Sequence, residues 1–394
     1  MVHSRVRVSH LAGGALVASL LVALSVLPVA ASSPRDSTTT LPGATTTTLP
    51  GATTTTLAGT TTSAPVTTTT LAPRPLAWPQ SESAAVIDSS LSLAAASPHQ
   101  VPVAIASLTK MMTTWVVLHR LPLAASQQGP CHVVSAHDLA TYRHDAATDQ
   151  SSAAVALGLR LCENVLLHGL LVHSAGNYAE ILVEMTGLRE AQFVADMNAT
   201  ARAMGLRQTH YVDVTGIGAG DRSTAQDQVR LAALLMANEP IVGTIVKLPS
   251  VRLPVAGVLA SYTPFVGQGG VVGVKSGYTD LAGGCDVMAV DFTLGSLTTR
   301  VYAAVLGDHG ANAIVGAAQI ALGLARQLRG GIRVAHGTSG PILTWTGPSQ
   351  YVVTTTTTTT TTTTPTTTTA PTTTTTLVPG TTTTGATTTT APLG

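Results

Sequence analysis

The pattern of hydrophobic and polar residues divides the chain of 394 residues into distinct segments. Residues 1–31 contain a continuous apolar run, whereas residues 32–77 and 354–394 are dominated by threonine. Between residues 78 and 330, apolar positions recur with the periods of strands and helices. This region of roughly 250 residues is long enough to bury a full core, so it predicts one folded domain. We expect residues 331–353 to form a short irregular segment.

The periodicity of the central region predicts both strands and helices. Strands are expected near 84–88, 271–279, 286–292 and 299–306. Helices are expected near 107–121, 135–142, 163–171, 190–204, 223–236 and 311–328. These elements favour an α/β fold of the α+β kind, with an antiparallel sheet flanked by helices and a mainly helical part beside it.

The threonine-rich stretches differ from the centre in repeating almost without variation. Residues 41–48 and 49–56 are two copies of Leu-Pro-Gly-Ala followed by four threonines. Such a segment cannot bury enough apolar surface to offset the entropy of ordering it. We therefore expect a disordered stalk at 32–77 and a disordered tail at 354–394, which act as spacers with or without O-linked glycans.

The N-terminus has the features of an export signal. A modestly basic start precedes the apolar run of residues 11–31, which ends in Val29-Ala30-Ala31. This pattern predicts a secretory signal peptide, with an uncleaved membrane anchor as the alternative. Either one predicts a location on the wall side of the cytoplasmic membrane. The formal net charge of +1 gives no basic surface that would indicate a nucleic-acid partner.

Three cysteines occur in the chain, and in an exported protein two of them could pair. Sequence alone allows three pairings. We favour a disulfide between Cys131 and Cys162, with Cys285 as a small buried apolar residue. No spacing of cysteine or histidine suits a zinc site, so we expect neither a metal nor a cofactor.

The strongest chemical signal lies at the start of the helix expected after residue 106. Ser107 and Lys110 are three residues apart, so a helix places both side chains on one face. The helix is apolar nearly all round and should be central, where desolvation moves a lysine toward its neutral form. A neutral amine beside a serine can accept its proton as the serine attacks. The alternative is a core helix with an incidental serine and a snorkelling lysine.

Two later stretches favour the catalytic interpretation. Ser174-Ala175-Gly176 interrupts an apolar helical pattern, and Lys275-Ser276-Gly277 lies in an expected strand. In this order, the three stretches resemble the signature motifs of the D-alanyl-D-alanine carboxypeptidase family, the S11 peptidases or low-molecular-mass penicillin-binding proteins. The resemblance covers about residues 84–328 and includes the flanking residues 106–113, 168–172, 205–216 and 273–285.

The resemblance implies a β-lactamase/transpeptidase-like fold and a role for each matching residue. Ser107 would be the nucleophile, Lys110 its base, and Ser174 a proton relay to the leaving amine. The substrate would be held by Lys275, Ser276, Gly277 and Tyr278. The implied reaction is the removal of the terminal D-alanine from peptidoglycan stem pentapeptides through an acyl-enzyme, with β-lactams as covalent inhibitors.

One departure from the family pattern bears on activity. The second motif of the family is S-x-N, but Gly176 occupies the asparagine position and Asn177 follows it. Either Asn177 moves in to bind substrate, or hydrogen bonds that stabilise the transition state are missing. The alternatives are therefore a weakly active or non-catalytic peptidoglycan-binding member and a β-lactamase. The latter normally needs a glutamate-bearing loop between the second and third motifs, which we do not identify.

Overall fold

The structure is a computed structural model that describes residues 75–80 and 82–353. The predicted signal segment, the stalk up to residue 74 and the threonine-rich tail lie outside the described residues. Within the described part, no helix combines the length and the apolar character needed to cross a membrane.

Thirteen strands are described, most of them short. Their bounds are Ser83–Asp88 (β1), Leu93–Ala96 (β2), Val103–Ala104 (β3), Cys131–Val133 (β4), Arg160–Cys162 (β5), Arg222–Ser223 (β6), Ser250–Leu253 (β7), Gly257–Ala260 (β8), Val271–Thr279 (β9), Gly283–Leu294 (β10), Leu297–Asp308 (β11), Ile332–Gly337 (β12) and Gly340–Trp345 (β13).

Eight α-helices accompany them, together with 3-10 turns at Ala106–Leu108 and Ser349–Tyr351. The helices are Thr109–Arg120 (α1), Ala136–Ala147 (α2), Glu163–Val172 (α3), Gly176–Met185 (α4), Glu190–Ala203 (α5), Ala225–Asn238 (α6), Pro240–Ile245 (α7) and Ala313–Arg329 (α8).

The main sheet has five strands in the order β2-β1-β11-β10-β9, and all neighbours are antiparallel. Side chains alternate between its two faces, as the strand period of two requires. On β10, which lies between β11 and β9, Val287 and Ala289 belong to the large core that the sheet shares with most of the helices. Met288 and Val290 instead belong to a second core under α8. The predicted helix-flanked antiparallel sheet is confirmed.

The helix α1 lies at the centre of the large core. Met111, Met112 and Val117 are fully buried in it. The three threonines of this helix are buried as well, and each hydroxyl has an acceptor. Thr113 Oγ1 donates to Val214 O and Thr114 Oγ1 to Lys110 O, both at 2.7 Å, and Thr109 Oγ1 donates to the carboxylate of Asp221 at 2.6 Å. With its polar groups satisfied locally, the helix can be enclosed on all sides.

The segment after Gly330 differs from the sequence-based expectation. It was expected to be irregular, but it contains the hairpin β12–β13. Two glycines of this segment make room for Trp345. A Cβ added at Gly331 would lie 2.3 Å from the ring of Trp345, and one added at Gly347 would lie 2.0 Å from it. Tyr351 is buried, and its hydroxyl accepts a hydrogen bond from Leu76 N at 3.1 Å. The packed region therefore extends on both sides of the expected boundaries 78 and 330.

A second short ladder joins β4 to β5, and Cys131 lies directly opposite Cys162 in it. The two sulfurs form a disulfide, and Cys285 is buried and unpaired. The bridge closes the excursion that carries α2.

The disulfide predicts a stability difference. Replacing Cys131 and Cys162 by serine should lower the free energy of unfolding by about 2–4 kcal/mol, because the bridge joins residues 31 apart and restricts the unfolded chain. Urea unfolding of the wild type and the double variant, with and without reductant, measures the difference. Reductant should destabilise the wild type alone; equal sensitivity of both proteins would contradict the prediction.

Candidate active site

Ser107 lies in the 3-10 turn that leads into α1, and it is partly exposed. The preceding Ala106 has a φ of +48°, a conformation that costs a non-glycine residue about 1–3 kcal/mol. Two glycines fix this turn by close approach. A Cβ added at Gly216 would lie 1.8 Å from Ala106 O, and one at Gly277 would lie 2.7 Å from Ser107 N. The backbone of Ser107 is thus held between the loop after Asp213 and the strand β9.

Lys110 follows one turn later and is only 1% exposed. Its Nζ donates to Ser107 Oγ at 3.0 Å and to Thr215 O at 2.6 Å. Burial lowers the pKa of Lys110 to about 8, because an ammonium loses its hydration in this site. Carboxylates that oppose this shift come from four places in the chain: Asp213, Asp145, Asp221 and Glu180.

Ser174 and Lys275 form the second half of the site. Ser174 lies in the break between α3 and α4, has a φ of +62° and is buried. Lys275, on β9, is fully buried, and its Nζ donates to Ser174 Oγ at 3.0 Å and to Ser276 O at 2.7 Å. Burial holds the pKa of Lys275 well below its usual range, and the positive charge of Lys110 lowers it further. The structure therefore brings two amines and two hydroxyls from three separated stretches into one site.

The second motif differs from what the sequence suggested for Asn177. One of the two alternatives was that this side chain moves in to bind substrate. In the structure both ends of its amide bond to Ala153: Asn177 Oδ1 accepts from Ala153 N at 3.0 Å, and Asn177 Nδ2 donates to Ala153 O at 2.9 Å. Asn177 is buried and fastens α4 to the loop before β5. Because Gly176 has no side chain, no amide of this motif is left to reach a substrate.

The remaining residues of the third motif lie along β9. The hydroxyl of Ser276 donates to Tyr262 O at 2.7 Å, which ties β9 to the segment after β8. The side chain of Tyr278 is 50% exposed, and its hydroxyl donates to Asp280 Oδ1 at 3.0 Å. Gly277 lies between them against Ser107, so the main chain of β9, more than its side chains, borders the nucleophile.

Sequence reasoning missed two carboxylates that shape this site. Asp221 accepts hydrogen bonds from Thr109 Oγ1 and Val212 N, both at 2.6 Å, and burial raises its pKa to about 6. Asp145, at the end of α2, is the other; it follows Lys110 by 35 residues, with no motif to connect the two, and only the folded chain brings it near. The turn acid Asp213 accepts from Thr215 N at 2.7 Å and from Gly216 N at 2.6 Å.

A metal-capable group lies outside this cleft. Among the described residues, His132, Asp138 and Glu184 have ligand atoms within 4.8 Å of one another. Asp138, however, is already bonded by His132 Nε2 at 2.8 Å and by Ser135 N at 2.7 Å, as part of the cap of α2. These contacts account for the group without an ion.

The fold around this site agrees with the comparisons with known proteins. The model of the D-alanyl-D-alanine carboxypeptidase family, peptidase S11, matches residues 71–310, and the chain belongs to this family of peptidases. The resemblance stated from the sequence is confirmed.

Individual relatives are distant. The D-alanyl-D-alanine carboxypeptidase DacD of Salmonella typhimurium is 30% identical over 143 residues, which are 34% of this chain and 35% of that protein. The D-alanyl-D-alanine carboxypeptidase of Streptomyces sp. strain K15 is 28% identical over 205 residues, which are 46% of this chain and 66% of that protein. The chain thus spans less than two thirds of either relative.

Solved structures agree on the fold. Penicillin binding protein 6B from Escherichia coli superposes with a TM-score of 0.58 at 24% identity, covering 70% of this chain and 86% of that one. The Streptomyces K15 DD-transpeptidase gives a TM-score of 0.54 at 22% identity, covering 62% of this chain and 96% of that one. The predicted fold class is confirmed.

The close approach at Gly216 predicts a selective loss of stability. Gly216→Ala combines a φ of +87° with a clash against Ala106 O, so the Ser107 turn must shift. Gly257→Ala is the matched control, because its φ of +76° carries the same strain in open space. We expect about 1 kcal/mol of destabilisation for the control and clearly more for Gly216→Ala. Equal values in urea unfolding would contradict the proposed contact.

Proposed function

We propose that the protein is a serine-type D-alanyl-D-alanine carboxypeptidase that removes the terminal D-alanine from peptidoglycan stem pentapeptides. The proposal rests on two hydrogen-bonded pairs, Lys110 with Ser107 and Lys275 with Ser174. The pairs lie close enough for the charge of Lys110 to lower the pKa of Lys275. Family membership and the relatives' activities support the same reaction.

In the first half of the proposed reaction, Ser107 Oγ attacks the carbonyl carbon of the penultimate D-alanine, and its proton passes to Lys110 Nζ. The amide bond to the terminal D-alanine then breaks, and Ser174 passes a proton to the leaving amine. The N–H groups of Ser107 and Tyr278 stabilise the oxyanion. Water hydrolyses the resulting ester and regenerates the serine. A β-lactam would acylate Ser107 in the same way.

The charge of Lys275 fits a substrate that ends in a carboxylate. In this site its ammonium has only Asp286 as an opposing charge, and burial disfavours the charged form. A bound carboxylate would supply the missing counter-ion and raise the pKa of Lys275. The positive charge would then rest on Lys275, which favours the neutral form of Lys110 that the attack requires.

We further propose that the packed region is the catalytic domain and that the N-terminal segment exports it. The threonine-rich stretches would hold this domain at a distance from the membrane or wall. Gly176 favours one alternative, a member that binds peptidoglycan peptides or β-lactams but turns over slowly or not at all.

Labelling with a fluorescent penicillin tests the acyl-enzyme. We expect covalent labelling of the wild type, none of Ser107→Ala, and full labelling of Ser126→Ala, which changes an exposed loop serine. Release of D-alanine from a peptide ending in D-alanyl-D-alanine separates the two candidates, since the slow alternative predicts labelling with little release. A wild type that is never labelled would contradict both the peptidase and the slow penicillin-binding member.

The pKa of Lys110 predicts how labelling depends on pH. With a pKa of about 8, about one tenth of the amine is neutral at pH 7 and about half at pH 8. Because the neutral amine is the base, the rate of labelling should rise with pH from 6 to 9. Lys110→Arg keeps the charge but cannot give up its proton, so it should lose the reaction. A wild-type rate that is flat or falls over this range would be inconsistent with Lys110 as the base.

A further inference from the structure

The missing side chain at Gly176 leaves a small space that is bordered by polar groups. A Cβ added there would lie 3.4 Å from Ser151 O, 3.6 Å from Asp145 Oδ2 and 3.8 Å from Thr215 Cγ2. These are ordinary contacts, so Gly176 could carry a Cβ without a clash. The carboxylate of Asp145 lies beside the space that such a side chain would enter.

Asp145 is held firmly in this position. It lies in the last turn of α2, and it is 4% exposed. The backbone N–H of Asn177 lies near its carboxylate and lowers the pKa of Asp145. The loop that follows α2 is joined to α4 as well, since Gly176 N donates to Ser151 O at 2.7 Å. The end of α2 therefore lies directly against the start of α4.

Asp145 also interacts electrostatically with the proposed base. Burial raises the pKa of Asp145, and the charges of His144 and Lys110 oppose that shift. In return, Asp145 raises the pKa of Lys110. The other charged groups that interact with the side chains of Asp145 or Lys110 are Asp213, Asp221, Glu180 and Lys275.

We propose that Asp145 is a positioning residue of this site, whose carboxylate takes the polar place left by the absent side chain at Gly176 and whose negative charge acts on the Lys110 amine. The proposal rests on the proposed function in assigning Lys110 as the base. A residue that only capped α4 would show the same burial and the same contact with Asn177, so the test must measure Lys110 itself.

The composition of the chain makes that measurement direct. The chain contains three lysines, Lys110, Lys247 and Lys275. Labelling lysine with 13C and 15N gives three side-chain signals to follow by NMR, and Lys247→Arg assigns one of them. Asp145→Asn removes the charge at constant shape, and Asp149→Asn is the matched control, an exposed aspartate four residues later.

We expect Asp145→Asn to lower the pKa of Lys110 and to move the rise of penicillin labelling to lower pH by about one pH unit, because an ammonium loses a nearby negative charge. Asp149→Asn should leave both unchanged. An unaltered Lys110 titration in Asp145→Asn would overturn the proposal, even if labelling slowed. A wild type that is not labelled would refute the proposed function, while the titration would still decide the role of Asp145.

A rescue experiment tests the shared position. At pH 9, where the Lys110 amine is largely neutral with or without the charge of Asp145, Asp145→Ala should slow labelling about tenfold, because the place beside Gly176 loses its polar group. Adding Gly176→Asn should restore most of the rate, because the amide of the new residue can enter the space that the carboxylate vacates. Asp145→Ala with Gly176→Ala is the matched control and should not recover. Recovery in the control, or none with asparagine, would overturn the proposal.

Discussion

The burial of two lysine amines in one site is the constraint on which the rest of this structure depends. An ammonium taken out of water loses several kcal/mol of hydration unless acceptors replace it. Lys110 and Lys275 have the same kinds of acceptor: each amine donates to one serine hydroxyl and to one main-chain carbonyl oxygen. Two acceptors do not replace a full hydration shell, so both amines remain biased toward the neutral form. The same bias makes an amine useful as a base and responsive to a bound carboxylate.

The architecture around the amines follows from the need to bring their elements together. Lys110 comes from the central helix α1 and Lys275 from the edge strand β9, and these elements meet at the Ser107 turn. That contact requires the glycines at 216 and 277, because a side chain at either would collide with the backbone of the turn. The strained φ of Ala106 persists because packing on both sides fixes it. The strained backbone of Ala106, the two closely approaching glycines and the two buried lysines thus belong to one local arrangement.

The parts of this arrangement that depend on local periodicity could be predicted from the sequence. The three-residue spacing of Ser107 and Lys110 and the all-round apolar character of α1 were sufficient to predict their shared face and burial. The cap of α2 by Ser135 and Asp138 is likewise a local pattern, and the structure contains it. By contrast, no local signal shows that Asn177 bonds to Ala153, 24 residues earlier, or that Asp145 lies beside Gly176. The hairpin after Gly330 was missed because glycines that accommodate Trp345 look the same in sequence as glycines that form turns.

The change at Gly176 also alters what the site can offer a substrate. A carboxamide both donates and accepts hydrogen bonds, whereas an ionised carboxylate only accepts them. A carboxylate in this place can hold an ammonium, but it cannot donate to a substrate carbonyl unless it is protonated. Burial raises the pKa of Asp145, and the charge of Lys110 opposes this, so the protonation of Asp145 is coupled to that of the base. In the proposed reaction, donors to a substrate carbonyl would then come from the main chain, and β9 would supply them, because Gly277 lies directly against Ser107.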